Sequence, residues 1–121
     1  MKAILKEIYS IQVNEYLDKF HPDDPYNFCI LVSLSIGPMD KNSSNDFSLT
    51  VCTPEWLKGA CTSGKYEWGR HMLFVHEYDF PLIKKVITEY IDECEGDDWM
   101  VIANRISRIA AWEFEDYNRY K

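Results

Sequence analysis

Phe28-Cys29-Ile30-Leu31-Val32-Ser33-Leu34-Ser35-Ile36 is the stretch that decides the fold. Phe28, Ile30, Val32, Leu34 and Ile36 alternate with Cys29, Leu31, Ser33 and Ser35. A period of two belongs to a strand that turns one face to a core. Gly37-Pro38 ends the run, and Met39 to Asn45 reads as a polar turn. Phe47, Leu49 and Val51 then alternate with Ser48, Thr50 and Cys52, a second strand able to return antiparallel to the first.

Working outward from this pair, Thr53-Pro54-Glu55 carries a helix start: a capping hydroxyl, a proline at the first position and an acid favoured by the dipole. Gly59 and Gly64 keep that helix short, and Lys58 to Gly69 reads as an irregular excursion. His71 to Glu77 is expected as a further strand, with Leu73 and Val75 on one face and Met72 and Phe74 on the other. Apolar residues on both faces suggest an interior position. Upstream, Ile4-Leu5 and Ile8-Tyr9-Ile11 fit strand or helix by pattern, and strand is the reading adopted. Asn14 to Asn27, with Pro22, Pro25, Asp18, Asp23 and Asp24, is a loop.

Downstream, Leu82, Ile83, Val86, Ile87, Tyr90, Ile91 and Cys94 recur at three and four residues and make one apolar helical stripe. Asp79 is placed to cap it, Pro81 fits its first turn, and Gly96 is expected to end it. Asp97 is expected to cap a last helix, whose stripe is Trp99, Ile102, Ile106 and Ile109. The expectation is therefore a single α+β domain over 1–121. Its antiparallel sheet has four or more strands, with two C-terminal amphipathic helices packed on one face.

The composition fits one core: 121 residues, 46% hydrophobic and 15% aromatic, too apolar for wholesale disorder. Thirteen basic residues against twenty acids leave a formal charge of −7. That balance disfavours nucleic acid and anionic lipid as partners and favours basic ones. Cys29, Cys52, Cys61 and Cys94 form no Cys-x-x-Cys pair and read as reduced, mostly buried thiols of a cytoplasmic protein. Lys6 and Glu7 break the N-terminal apolar run, so no signal peptide is expected there. The longest uncharged stretch, Pro25 to Met39, is shorter than a bilayer span, so no membrane role is expected.

Chemistry is sparse. His71 and His76 are five apart in a strand and point to opposite faces, and His21 has no His or Cys near it, so no metal site is expected. Ser63 lacks the local frame of a nucleophile, and the five glycines build no phosphate cradle. Glu77 and Asp79, at a strand-to-helix junction, are the pair a small hydrolase would use, but Asp79 already has a capping role. Asp92 to Asp98 is the densest charge, five acids in seven residues. Asp97 and Asp98 suit a helix N-terminus, whereas Asp92, Glu93 and Glu95 oppose the dipole at a helix C-terminus. These three are thus candidates for contact with a basic partner. Arg105, Arg108, Trp112 and Asp116 follow helical spacing, and the expected role of that face is a clasp to the body.

Three stretches carry a resemblance. They are Ile36-Gly-Pro with Asp46-Phe-Ser-Leu-Thr-Val-Cys-Thr-Pro-Glu-Trp-Leu57; Gly69-Arg-His-Met-Leu-Phe-Val-His-Glu-Tyr-Asp79; and Cys94-Glu-Gly-Asp-Asp-Trp99 running to Ser107-Arg-Ile-Ala-Ala-Trp-Glu-Phe-Glu-Asp-Tyr117. In that order the chain resembles the immunity protein 8 family of bacterial polymorphic toxin and contact-dependent inhibition systems. The resemblance implies a cytoplasmic antidote that binds and neutralises a secreted toxin, often a nuclease. It implies no catalysis and no cofactor. A monomer or weak homodimer is expected. Shared motifs are expected to build scaffold, with Trp56, Trp112 and Phe114 as core or clasp residues. Specificity is expected in the Asn14 to Asp24 loop and the Lys58 to Glu67 segment. The partner-binding candidates are Asp23, Asp24, Glu67, Trp68, Asp92, Glu93, Glu95 and Asp98. The alternatives are a general acidic interaction or regulatory module, or a small hydrolase.

Overall fold

In a computed structural model, which describes residues 1–114, the alternating stretch forms the centre of a five-stranded sheet. The elements are β1 (Ala3–Tyr9), β2 (Cys29–Pro38), β3 (Asn45–Cys52), α1 (Pro54–Ala60), β4 (Met72–Phe74), α2 (Phe80–Asp92), α3 (Trp99–Ile106) and β5 (Ala111–Trp112). The sheet order is β1-β2-β3-β4, and β5 joins the same edge of β3 as β4. The β1–β2 and β2–β3 pairs are antiparallel; β4 runs parallel to β3. No helix among the described residues is long and apolar enough to cross a membrane.

Register explains the two faces. Ile30, Val32 and Leu34 stand opposite Val51, Leu49 and Phe47, and all six are buried. Ile83, Ile87 and Ile91 of α2 and Ile102, Ala103 and Ile106 of α3 complete the same core. Each buried Val, Leu, Ile or Phe among them contributes about 1.5–3 kcal/mol by leaving water, so this one face carries most of the fold's stability. The other face pairs Cys29 with Cys52, Leu31 with Thr50 and Ser33 with Ser48. At Lys6 the β1–β2 register shifts, and the Lys6 ammonium donates to the Ser43 carbonyl at 2.8 Å, tying β1 to the β2–β3 turn.

Four expectations need correction. His71 to Glu77 is not an interior strand: only Met72–Phe74 pairs, at the sheet edge, and Phe74 is 46% exposed. The left-handed backbone of His71 (φ 54°) breaks the strand before Met72. Asp98, not Asp97, caps α3: its extended backbone lets the carboxylate accept from Val101 N at 3.0 Å. α2 stops at Asp92 rather than at Gly96, which lies in the following turn. A Cβ on Gly96 would come within 2.7 Å of Val101, so glycine there allows α3 to approach closely. Finally, Arg105, Arg108 and Trp112 do not share a helix. α3 ends at Ile106, Trp112 belongs to β5, and Asp116 lies outside the described residues.

Candidate partner interface

Strand direction sorts the connecting segments to two opposite ends of the sheet. Tyr9, Cys29, Cys52 and Phe74 lie toward one end, so residues 10–28, 53–71 and 75–79 all connect there. Tyr78 holds this end together. Its N–H donates to Pro25 O at 2.8 Å, its hydroxyl donates to Leu17 O at 2.6 Å, and its ring meets Phe20 and Phe28 edge-on, each at 5.3 Å. Burial, then Asp18 and Glu15, push the Tyr78 hydroxyl up to about 12, so it stays a donor. The opposite end holds the N-terminus, the β2–β3 turn and the α2–α3 turn. Met39 N donates there to Lys2 O at 3.0 Å, and Gly96 N to Met1 O at 3.4 Å. Thirteen residues of α2, about 20 Å of helix, span the distance between the ends.

The expected partner residues divide between these ends. Asp23, Asp24, Glu67 and Trp68 lie on two segments that connect at the loop-rich end. Asp24 accepts from Tyr26 N at 2.9 Å and shapes its turn, while Asp23 is exposed without such a task. Residues 61–70 are all exposed, and Trp68 (82% exposed) meets Tyr66 (76%) edge-on at 6.5 Å. Glu67 acts electrostatically on the paired Cys29 and Cys52. Burial and then Glu67 push the Cys29 thiol up; burial and Cys29 push Cys52 up to about 11, with a smaller contribution from Glu67.

Asp92, Glu93, Glu95 and Asp98 stand at the other end. Glu95 pairs with Lys2 at 3.2 Å and bridges to it through the backbone, and Asp98 is the α3 cap. The fold therefore employs two of the four acids, and Asp92 and Glu93 remain exposed with no side-chain bond among the described residues.

A family model described as immunity protein 8 matches residues 5–117. The chain belongs to the immunity protein 8 family. No curated protein matches the chain, and no solved structure does.

In this member of the immunity protein 8 family, several motif residues sit where they hold the body together. Thr53 is fully buried, and its hydroxyl accepts from Trp56 N at 3.3 Å and Phe28 N at 3.4 Å, joining α1 to the start of β2. Trp112 stacks on Phe47 (6.3 Å, 14°), Phe114 meets Trp112 edge-on at 5.7 Å, and Asp46 N donates to the Glu113 carboxylate at 3.0 Å. These contacts clasp the end of the described chain to β3. Trp56 is half-buried on α1, which has no buried residue of its own, so it is not a core residue. Trp99 donates its indole N–H to the Asn45 side chain.

Two of the three histidines have structural partners: His71 Nε2 lies 2.8 Å from Ser107 O, and His76 meets Tyr26 ring to ring at 5.5 Å. Among the described residues no three His, Cys, Asp or Glu side chains gather as a metal-holding group. Glu77 and Asp79 do line a shallow depression of about 330 Å³ with Asp18, but Asp79 Oδ1 accepts from Leu82 N at 3.1 Å as the α2 cap. Ile11, Tyr16, Tyr26 and Tyr66, exposed at this end, are not among the expected partner residues, although Tyr16 and Tyr66 fall in the two segments expected to carry specificity. Their one visible signal is that large apolar residues interrupt otherwise polar loops.

Proposed function

We propose that this protein is the antidote to a secreted toxin domain encoded beside it. It binds that domain in the bacterial cytoplasm, one to one, and holds it inactive. Family membership over residues 5–117 is the observation that carries this reading. The physical character of the surface supports it. Tight inhibition needs preformed anchors around a centre that loses its water, and Trp and Tyr dominate such centres. The loop-rich end offers Tyr66 and Trp68 in just that exposure. The formal charge of −7 speeds encounter with a basic partner such as a nuclease and opposes acidic ones.

Growth of cells expressing the neighbouring toxin domain, with and without this chain, tests the proposal. Growth arrest by the domain alone and full recovery on co-expression are expected. A toxic domain that kills equally in the presence of this chain contradicts the reading.

A further inference from the structure

The β1–β2 loop builds an apolar groove that the fold itself does not use. Tyr9, Val13 and Tyr16 line it beside Glu15 and Lys19, around a volume of about 690 Å³. Tyr16 is 83% exposed, and the adjoining Ile11 is 79% exposed. These side chains are nonetheless held by a tied backbone. The Tyr16 carbonyl accepts from Lys19 N at 2.9 Å and Phe20 N at 3.0 Å, and the next residue, Leu17, is buried. The Gln12 side chain accepts from Leu31 N at 2.8 Å and fastens the loop to β2. A ring held outward on a fastened loop loses little conformational freedom when a partner covers it.

The charge around the groove decides what covers it. Glu15 and Lys19 line the groove, and Asp18, Glu77 and Asp79 line the neighbouring depression together with His21, which sets four carboxylates against the ammonium of Lys19. Among the described residues none of the four forms an ion pair. Asp18 and Phe20, the chain neighbours of Lys19, line this second depression with Tyr78, Phe80, Glu77 and Asp79. Aromatic faces with carboxylates at their edge suit a planar guanidinium, which stacks and donates at once.

We infer that this groove and depression dock a basic segment of the partner protein, its apolar side chains against Tyr9 and Tyr16 and an arginine in the ring-walled depression. The inference deepens the antidote reading and rests on it. Its occupant is the toxin domain, and the acidic turn at the other end of the molecule takes no part.

Surface-plasmon binding of the intact chain to the toxin domain encoded beside its gene separates the two claims. Tyr16→Ala is expected to raise Kd at least tenfold. Asp18→Lys with Glu77→Lys is expected to slow association at least tenfold at low salt, the difference shrinking as salt rises. Asp92→Lys with Glu93→Lys, the same charge change at the opposite end, is expected to stay within about twofold of the parent. Circular dichroism and Tm of every variant are expected to match the parent, because the altered side chains are exposed. If the parent binds tightly and the groove variants bind equally well, the groove is wrong and the antidote reading stands. If the parent does not bind, the antidote reading fails and takes the groove with it.

Discussion

Replacing Thr53 by valine removes one hydroxyl at the junction that carries α1, and the structure sets the size of the effect. Thr53 is fully buried, and valine keeps its volume, so the packing term is small. The lost acceptor serves Trp56 N at 3.3 Å and Phe28 N at 3.4 Å. Both distances are at the long end for N–H to oxygen, which places each bond near the lower part of the usual ~0.5–1.5 kcal/mol. Phe28 is buried, so its N–H is left without a partner, at about 1–3 kcal/mol. The expected loss is about 2–3 kcal/mol, dominated by that orphaned donor. For a chain of this length it corresponds to a Tm lower by roughly 8–12 °C. Urea unfolding followed by tryptophan fluorescence measures it, with Thr53→Ser as the control that retains the acceptor and stays within about 1 kcal/mol of the parent. If Thr53→Val lies within about 0.5 kcal/mol of the parent, or the valine and serine variants are equal, the hydroxyl is not the link between α1 and β2.

Alkaline titration should weaken the fold. The Cys52 thiol is held from its ordinary 9.0 up to about 11, so above pH 9 the unfolded chain binds fewer protons than the folded one and stability falls until about pH 11. The loss reaches at most about 2–3 kcal/mol from this group, and Tyr78 extends the fall toward pH 12. Urea midpoints in reducing buffer at pH 8 and 10.5 check it, and a flat profile counts against a buried Cys52 thiol facing Cys29. Gly37→Ala places a Cβ 2.0 Å from the Ser43 carbonyl oxygen. It should cost about 1–3 kcal/mol or more as the β2–β3 turn is forced away, visible as faster amide exchange in residues 39–46; unchanged exchange there refutes the close approach. Trp68→Ala should leave Tm unchanged, within about 0.5 kcal/mol, while raising the Kd for the toxin domain at least tenfold; unchanged affinity removes Trp68 as an anchor.

Local chemistry made much of the architecture legible. The alternation in β2 and β3 survives because one face meets the core and the other does not, and Asp79 and Thr53 cap where their side chains predict. The failures share a cause in tertiary contact. Ile106, Ile109 and Trp112 keep helical spacing, yet the chain turns after Ile106 because Ala111–Trp112 gains pairing with β3 and a stack on Phe47. Met72 and Phe74 suggested an interior strand, but they lie on the less covered face at an edge. At the candidate interface, charge density alone does not separate structural from free acids: in the acidic turn Glu95 pairs with Lys2 and Asp98 caps α3. The exposure of Tyr16 and Trp68 depends on how distant segments fold, which no local pattern carries.

The central claim is that this chain binds the toxin domain encoded beside it. Isothermal titration of the two purified proteins tests it most directly. A stoichiometry of one and a Kd of about 10 nM or tighter is the predicted result; absence of measurable heat and of a joint species in size-exclusion chromatography at micromolar concentration contradicts it.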